Sequence, residues 1–148
     1  SVIGDSVLTY LFAADRRDHL DRCIIPALQR GVAVITDRYY HSSLAYQSLS
    51  VGLPMVAGLN ERFRASEITL FLDLDPETSL ARIEARGEAL ERFEALDRLR
   101  QIHEAYYAVL VHCRARGEHI VRIPADGNID EVHALVVAAV DATLEGLA

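Results

Sequence analysis

Lysine is missing from this chain: all 15 basic residues are arginine. A site that needs lysine, such as a phosphate loop ending in Gly-Lys-Ser/Thr or a Schiff base, cannot be assembled from these residues. Cysteine is scarce as well. Cys23 and Cys113 stand far apart and form no metal-ligand pattern, so they read as two small buried hydrophobes in a reducing cytoplasm. No apolar run approaches about 18 residues, which excludes a membrane-spanning helix. The opening Ser1-Val2-Ile3-Gly4-Asp5 has no basic region ahead of an apolar one and does not read as a signal peptide. Positive charge is in deficit. A net charge of −7 argues against a nucleic-acid coat or an anionic-membrane binder. The six histidines are scattered without metal spacing, and nothing resembles a Ser-His-Asp triad.

What is present is an ordinary globular balance. The chain has 148 residues, 51% hydrophobic and 25% charged, enough for one compact domain with a core and no long disordered stretch. Helical spacing runs through 5–14, where Val7, Leu8, Leu11 and Phe12 share a face behind Asp5 or Ser6 as caps. It continues through 16–29, with Pro26 as a kink and Arg30-Gly31 as the stop. Val32 to Ile35 reads as a strand buried on both faces. Helices follow at 42–49 and 54–63. Ile68 to Leu72 is a second strand, Pro76 opens a helix running to about Arg86, and Gly87 breaks it. A long helix over roughly 94–116, a third strand from His119 to Ile123, and a last helix over 129–145 capped by Asn128 complete the order. Strands alternating with helices demand parallel pairing and an α/β layered fold. Three strands are thin for such a sheet, so one or two strands ahead of Ser1 are expected.

The chemistry concentrates in 32–47. The strand ends on Asp37-Arg38, and in open parallel sheets ligands bind beyond the carboxyl ends of strands. A carboxylate and a guanidinium there, followed by Tyr and Ser hydroxyls opening a helix, suit a phosphate and a metal. Upstream, Phe12 and Arg16 lie i,i+4 on one helix face. Each feature has a plain structural reading too. Phe12 can be core and Arg16 a surface charge. Asp37-Arg38 can be a structural ion pair, Tyr39, Tyr40 and Tyr46 packing aromatics, and Arg82, Arg86 and Arg92 a solvated face.

Taken together these stretches are much more specific. Leu11-Phe12-Ala13-Ala14-Asp15-Arg16, Pro26-Ala27-Leu28, Gly31, and Asp37-Arg38-Tyr39 with Ser42, Ala45, Tyr46 and Gln47 resemble the thymidylate kinase (dTMP kinase) family. So do Leu70-Phe71-Leu72-Asp73-Leu74-Asp75-Pro76-Glu77, Arg82, Arg86-Gly87-Glu88, Glu91-Arg92-Phe93-Glu94, Tyr106 or Tyr107, and Ala125-Asp126. The resemblance covers nearly the whole chain in the family's order. It implies a P-loop NTPase-like three-layer sandwich, a parallel sheet flanked by helices, with a lid at about 82–94. It implies ATP and Mg²⁺ as cofactors, dTMP as substrate, and a homodimer. By the same resemblance Phe12 would stack on thymine, Arg16 would hydrogen-bond a base carbonyl, and Ser43 and Gln47 would line the base pocket. Tyr46 would sit by the deoxyribose. Arg38 would hold the monophosphate, and Asp37 would orient the magnesium shell through water. Arg82, Arg86 and Arg92 would fall on or beside the lid, with Arg92 neutralising the transferred phosphoryl group. Arg82, Arg86, Ala125 and Asp126 would border ATP, the last two its adenine.

The family opens with a strand, a lysine-bearing P-loop, a helix and a second strand, none of which stands in this sequence. The expectation is therefore part of a longer kinase. Two rivals differ in kind: a deoxynucleoside kinase, which also uses an Asp-Arg strand tip, and a catalytically inactive nucleotide-binding module, which the missing lysine favours. Ala65-Ser66-Glu67-Ile68 also departs from the family's usual Pro-Asp-Leu at the entry to the second strand.

Overall fold

The computed structural model describes residues 3–87 and 92–147. The chain divides into two compact units, Ser1–Arg64 and Ala65–Ala148. None of its described helices is long and apolar enough to cross a membrane.

The first unit is helical: α1 (Asp5–His19), a π-helical turn (Leu20–Ile24), α2 (Ile25–Gln29), α3 (Tyr40–Val51) and α4 (Leu53–Asn60). Gly4, in extended conformation, precedes α1 and no side chain caps it, contrary to the expected Asp5 or Ser6 cap. The wide turn before Pro26 has a physical cause. Proline cannot donate to the carbonyl four residues back and its ring crowds it, so the ladder re-registers just upstream as a π-helical turn. Gly31 then takes φ +74, and its N–H and that of Val32 close the end on Leu28 and Ala27 carbonyls.

Three expectations are corrected here. The buried stripe of α1 is Thr9 and Ala13, continued by Leu20, whereas Val7, Leu11 and Phe12 are about half exposed. The stretch 32–36 is not a strand, and Ile35 is 98% exposed. β-branched composition supplies propensity, but a strand exists only where a neighbour completes the hydrogen-bond ladder, and no other strand occurs among the described residues of this unit. Cys23, expected to be buried, is exposed; Cys113 is buried.

The second unit is a βαβ arrangement with a helical tail: β1 (Thr69–Asp73), α5 (Pro76–Ala85), α6 (Arg92–Ala115), β2 (Ile120–Pro124) and α7 (Ile129–Leu147). β1 and β2 pair in parallel, Thr69 opposite Ile120 through Asp73 opposite Pro124, so the described sheet has two strands rather than three. Local signals explain the boundaries. The Asp75 carboxylate accepts from the Thr78 N–H at 2.8 Å, with Pro76 in the first turn of α5. At α7 a full capping box forms: Asn128 Oδ1 accepts from the Glu131 N–H (3.0 Å) and Glu131 Oε2 accepts from the Asn128 N–H (2.9 Å). That return leaves no slack beside Gly127, where a Cβ would stand 2.6 Å from Glu131 Oε2. Leu80, Val109, Leu110, Cys113, Ile120 and Ile123 are among the buried apolar residues described in this unit.

Candidate functional site

In the first unit three helices converge on one guanidinium. Arg16 of α1 donates from Nη1 to Asn60 Oδ1 of α4 and from Nη2 to Ser43 Oγ of α3, both at 2.7 Å. Its Cζ lies 5.8 Å from the ring centroids of both Tyr39 and Phe63. Burial lowers the Arg16 pKa, against the opposing influence of Tyr39 and Asp15, yet an arginine stays charged. Among the described residues, two of its five N–H donors meet neutral acceptors. Phe12 stands one turn away on the same helix, 46% exposed, its ring presented outward.

Arg38 and Tyr46 are also brought together: the Arg38 Cζ lies 5.4 Å from the Tyr46 ring centroid. Arg38 holds φ +63, a left-handed backbone that costs a side-chain-bearing residue about 1 kcal/mol or more. Such residues cluster where ligands are held. The Thr36 hydroxyl donates to the Arg38 carbonyl at 3.0 Å and steadies the bend. Gln47 follows Ser43 by one turn of α3, and its side-chain oxygen is buried without a hydrogen-bond partner among the described residues. A donor from a bound molecule would satisfy it. Asp37 sits at the bend and belongs to no described three-ligand cluster able to hold a metal. Of the tyrosines read as packing aromatics, Tyr40 is core, stacked on His41 at 4.3 Å.

The second unit carries a cleft of about 840 Å³ at the carboxyl ends of the strands. Leu72, Arg82, Ala125, Asn128 and His133 are among its lining residues. Arg82 Nη2 donates to the carbonyls of Asp126 and Gly127, each at 3.2 Å, and so ties α5 to the loop after β2. Arg82, Ala125 and Asp126 thus stand together. Arg86 is exposed one turn further on. Arg92 opens α6, but its side chain lies outside the described residues, as do residues 88–91 of the expected lid.

Sequence reasoning missed Asn60, Phe63 and the network around Asp73. Asn60 falls inside the expected helix 54–63 with nothing to single it out; its burial comes from the packing of α4 against α1 and α3. Asp73, 9% exposed, accepts from Tyr107 Oη (2.8 Å), from Arg122 Nε, and from His103 Nε2 (3.2 Å). Burial raises its pKa, but these bonds outweigh burial and hold the carboxyl below its usual range.

A family model described as thymidylate kinase matches residues 3–136. A thymidylate kinase of Xanthomonas campestris pv. campestris (strain B100) is 42% identical over 133 residues, 87% of this chain and 56% of the relative. One from Xanthomonas oryzae pv. oryzae (strain PXO99A) is 40% identical over 140 residues, 92% of this chain and 60% of the relative. A probable thymidylate kinase of Pyrobaculum calidifontis is 40% identical over 139 residues, covering 93% and 68%. The chain therefore spans 56% and 60% of the lengths of the two Xanthomonas proteins.

Proposed function

This chain belongs to the thymidylate kinase family, and from that premise we propose that the protein transfers the γ-phosphoryl group of ATP to dTMP, yielding dTDP. The observation that carries the reading is the seated Arg16: a planar, fully charged donor held on neutral partners, one helical turn from the outward ring of Phe12. A flat apolar face and a rigid fork of donors together read a pyrimidine with a carbonyl on its edge. Ser43 and Gln47 line the base, and the unpartnered Gln47 oxygen suits an imide N–H. Arg38 takes the monophosphate, with Tyr46 against it on the sugar side. In the second unit the cleft beside Arg82, Ala125 and Asp126 suits an adenine and its phosphates, with Arg86 nearby.

Phosphoryl transfer between two polyanions depends on positioning and charge neutralisation more than on covalent chemistry. Arg38 and Asp37 hold the acceptor side, and Arg92 within a lid over 82–94 neutralises the moving group and excludes water. Asp37 would hold magnesium through its water shell, and the ion would supply charge to offset that of the phosphates. The same reading makes the protein one P-loop-type three-layer domain, a parallel sheet flanked by helices, working in the cytoplasm as a homodimer.

The test is a two-acceptor assay with ATP and Mg²⁺. dTDP formed from dTMP, with thymidine left untouched, is the expected outcome. Phosphorylation of thymidine instead would make the protein a deoxynucleoside kinase. A thermal shift with dTMP but no transfer would make it an inactive binding module.

A further inference from the structure

Asn60 is the least accessible of the groups around Arg16 apart from the helix cores: 4% of its surface meets solvent. Both ends of its amide are already bonded within the protein. Its side-chain nitrogen donates to the Val56 carbonyl of its own helix at 2.7 Å. That bond settles which way the amide faces, since a carbonyl accepts only from the nitrogen. The oxygen is left aimed at Arg16 Nη1, 2.7 Å away. Three residues beyond, the Phe63 N–H returns to the Asn60 carbonyl at 3.1 Å and brings the Phe63 ring against the same guanidinium. Tyr39 approaches the guanidinium too, its hydroxyl donating to the Arg64 carbonyl at 3.0 Å.

We infer that Asn60 is a positioning residue that sets the substrate's base identity through Arg16, an inference that rests on the proposed role of Arg16 at the base. A neutral acceptor suits this task better than a carboxylate. It fixes the plane of the guanidinium without neutralising it, so the remaining N–H donors keep full strength toward a ligand carbonyl. An aspartate would lose the donor to Val56, set two oxygens against each other, and form an ion pair that competes with the ligand. The seat also explains a choice between pyrimidines. Arginine has donors only, so a held guanidinium favours a 4-oxo base and penalises a 4-amino base, which offers a donor at the same place. A guanidinium freed from its seat could swing aside and tolerate either.

The full chain is titrated calorimetrically with dTMP and with dCMP, as wild type, Asn60→Ala, Arg16→Ala and the double variant. Asn60→Ala is expected to weaken dTMP about tenfold, narrow the dTMP-over-dCMP preference, and leave ATP binding within twofold. In the Arg16→Ala background the Asn60 change should add less than twofold, because its effect passes through that arginine. An Asn60→Ala protein with unchanged dTMP affinity and preference overturns the inference. So does a loss that adds in full to that of Arg16→Ala or falls equally on ATP, which a purely structural role would produce. Should Asn60→Ala fail to fold, the near-isosteric Asn60→Asp takes its place, with the same preference expected to narrow and an unchanged preference overturning the inference. The underlying reading fails separately: dTMP affinity indifferent to Arg16→Ala would remove the base site itself.

Discussion

The two units treat their arginines differently. In Ser1–Arg64 the arginines implicated in binding rest on neutral groups: Arg16 on an amide, a hydroxyl and two rings, Arg38 on a tyrosine ring. The ion pairs described there, Arg17–Asp21 and Arg22–Asp18, lie exposed along α1 and the turn after it, where such pairs contribute little. In Ala65–Ala148, Arg122 is bound to Asp73 and Arg100 to Glu77. Arg82 and Arg114 instead rest on backbone carbonyls, Arg82 on two of them beside the cleft. A guanidinium matched to a carboxylate has its charge answered within the protein and serves the fold. One seated on neutral acceptors is equally well held but still presents a charge to a ligand.

The contrast can be broken most decisively at Arg38. Arg38→Ala should cut dTMP phosphorylation by on the order of 10³-fold with helix content by circular dichroism unchanged; near-normal turnover would place that charge outside the reaction. Asp73 should show the opposite behaviour. Asp73→Ala should lower the stability of the second unit by about 2–3 kcal/mol in urea and leave dTMP affinity alone. Because its folded carboxyl titrates below the ordinary range, Asp73's contribution is complete above about pH 4 and fades as pH drops through the folded value. The unfolding curves of the parent and variant should therefore converge in acid, and a gap that widened there would contradict the assigned network. Phe12→Ala returns to the first unit. It should weaken dTMP by about 1–3 kcal/mol in calorimetry, while an unaltered affinity would take its ring out of the site. The smallest effect is expected at Asn128→Ala, which removes the α7 capping box. It should cost about 1 kcal/mol in thermal unfolding without touching dTMP binding; no change in melting would mean the cap is redundant.

Much of the second unit was readable in the residues. Asp75-Pro76, Gly87, Asn128 and the apolar runs around Phe71 and Ile123 mark their elements through contacts three or four positions apart or through pairing of hydrophobic strands. In the first unit, helices were legible but their buried faces were not. The Val7–Leu8–Leu11–Phe12 face looked like core, while the residues that pack are Thr9 and Ala13. Arg16 and Ser43 were named as site residues, yet nothing in either stretch announced that they touch. Asn60 carried no signal at all, because an asparagine within an expected helix is unexceptional until something is buried against it.

Residue order alone determined where most helices lie, the starts of α5 and α7, which segments are apolar, and that arginine is the sole permanently cationic side chain available. Those outcomes depend on backbone sterics and on neighbours within a turn. Tertiary structure decided that 32–36 stays unpaired and that Arg16 is seated by partners 27 and 44 positions away. Ladders and seats of that kind are completed by groups remote along the chain, whose approach no local pattern encodes.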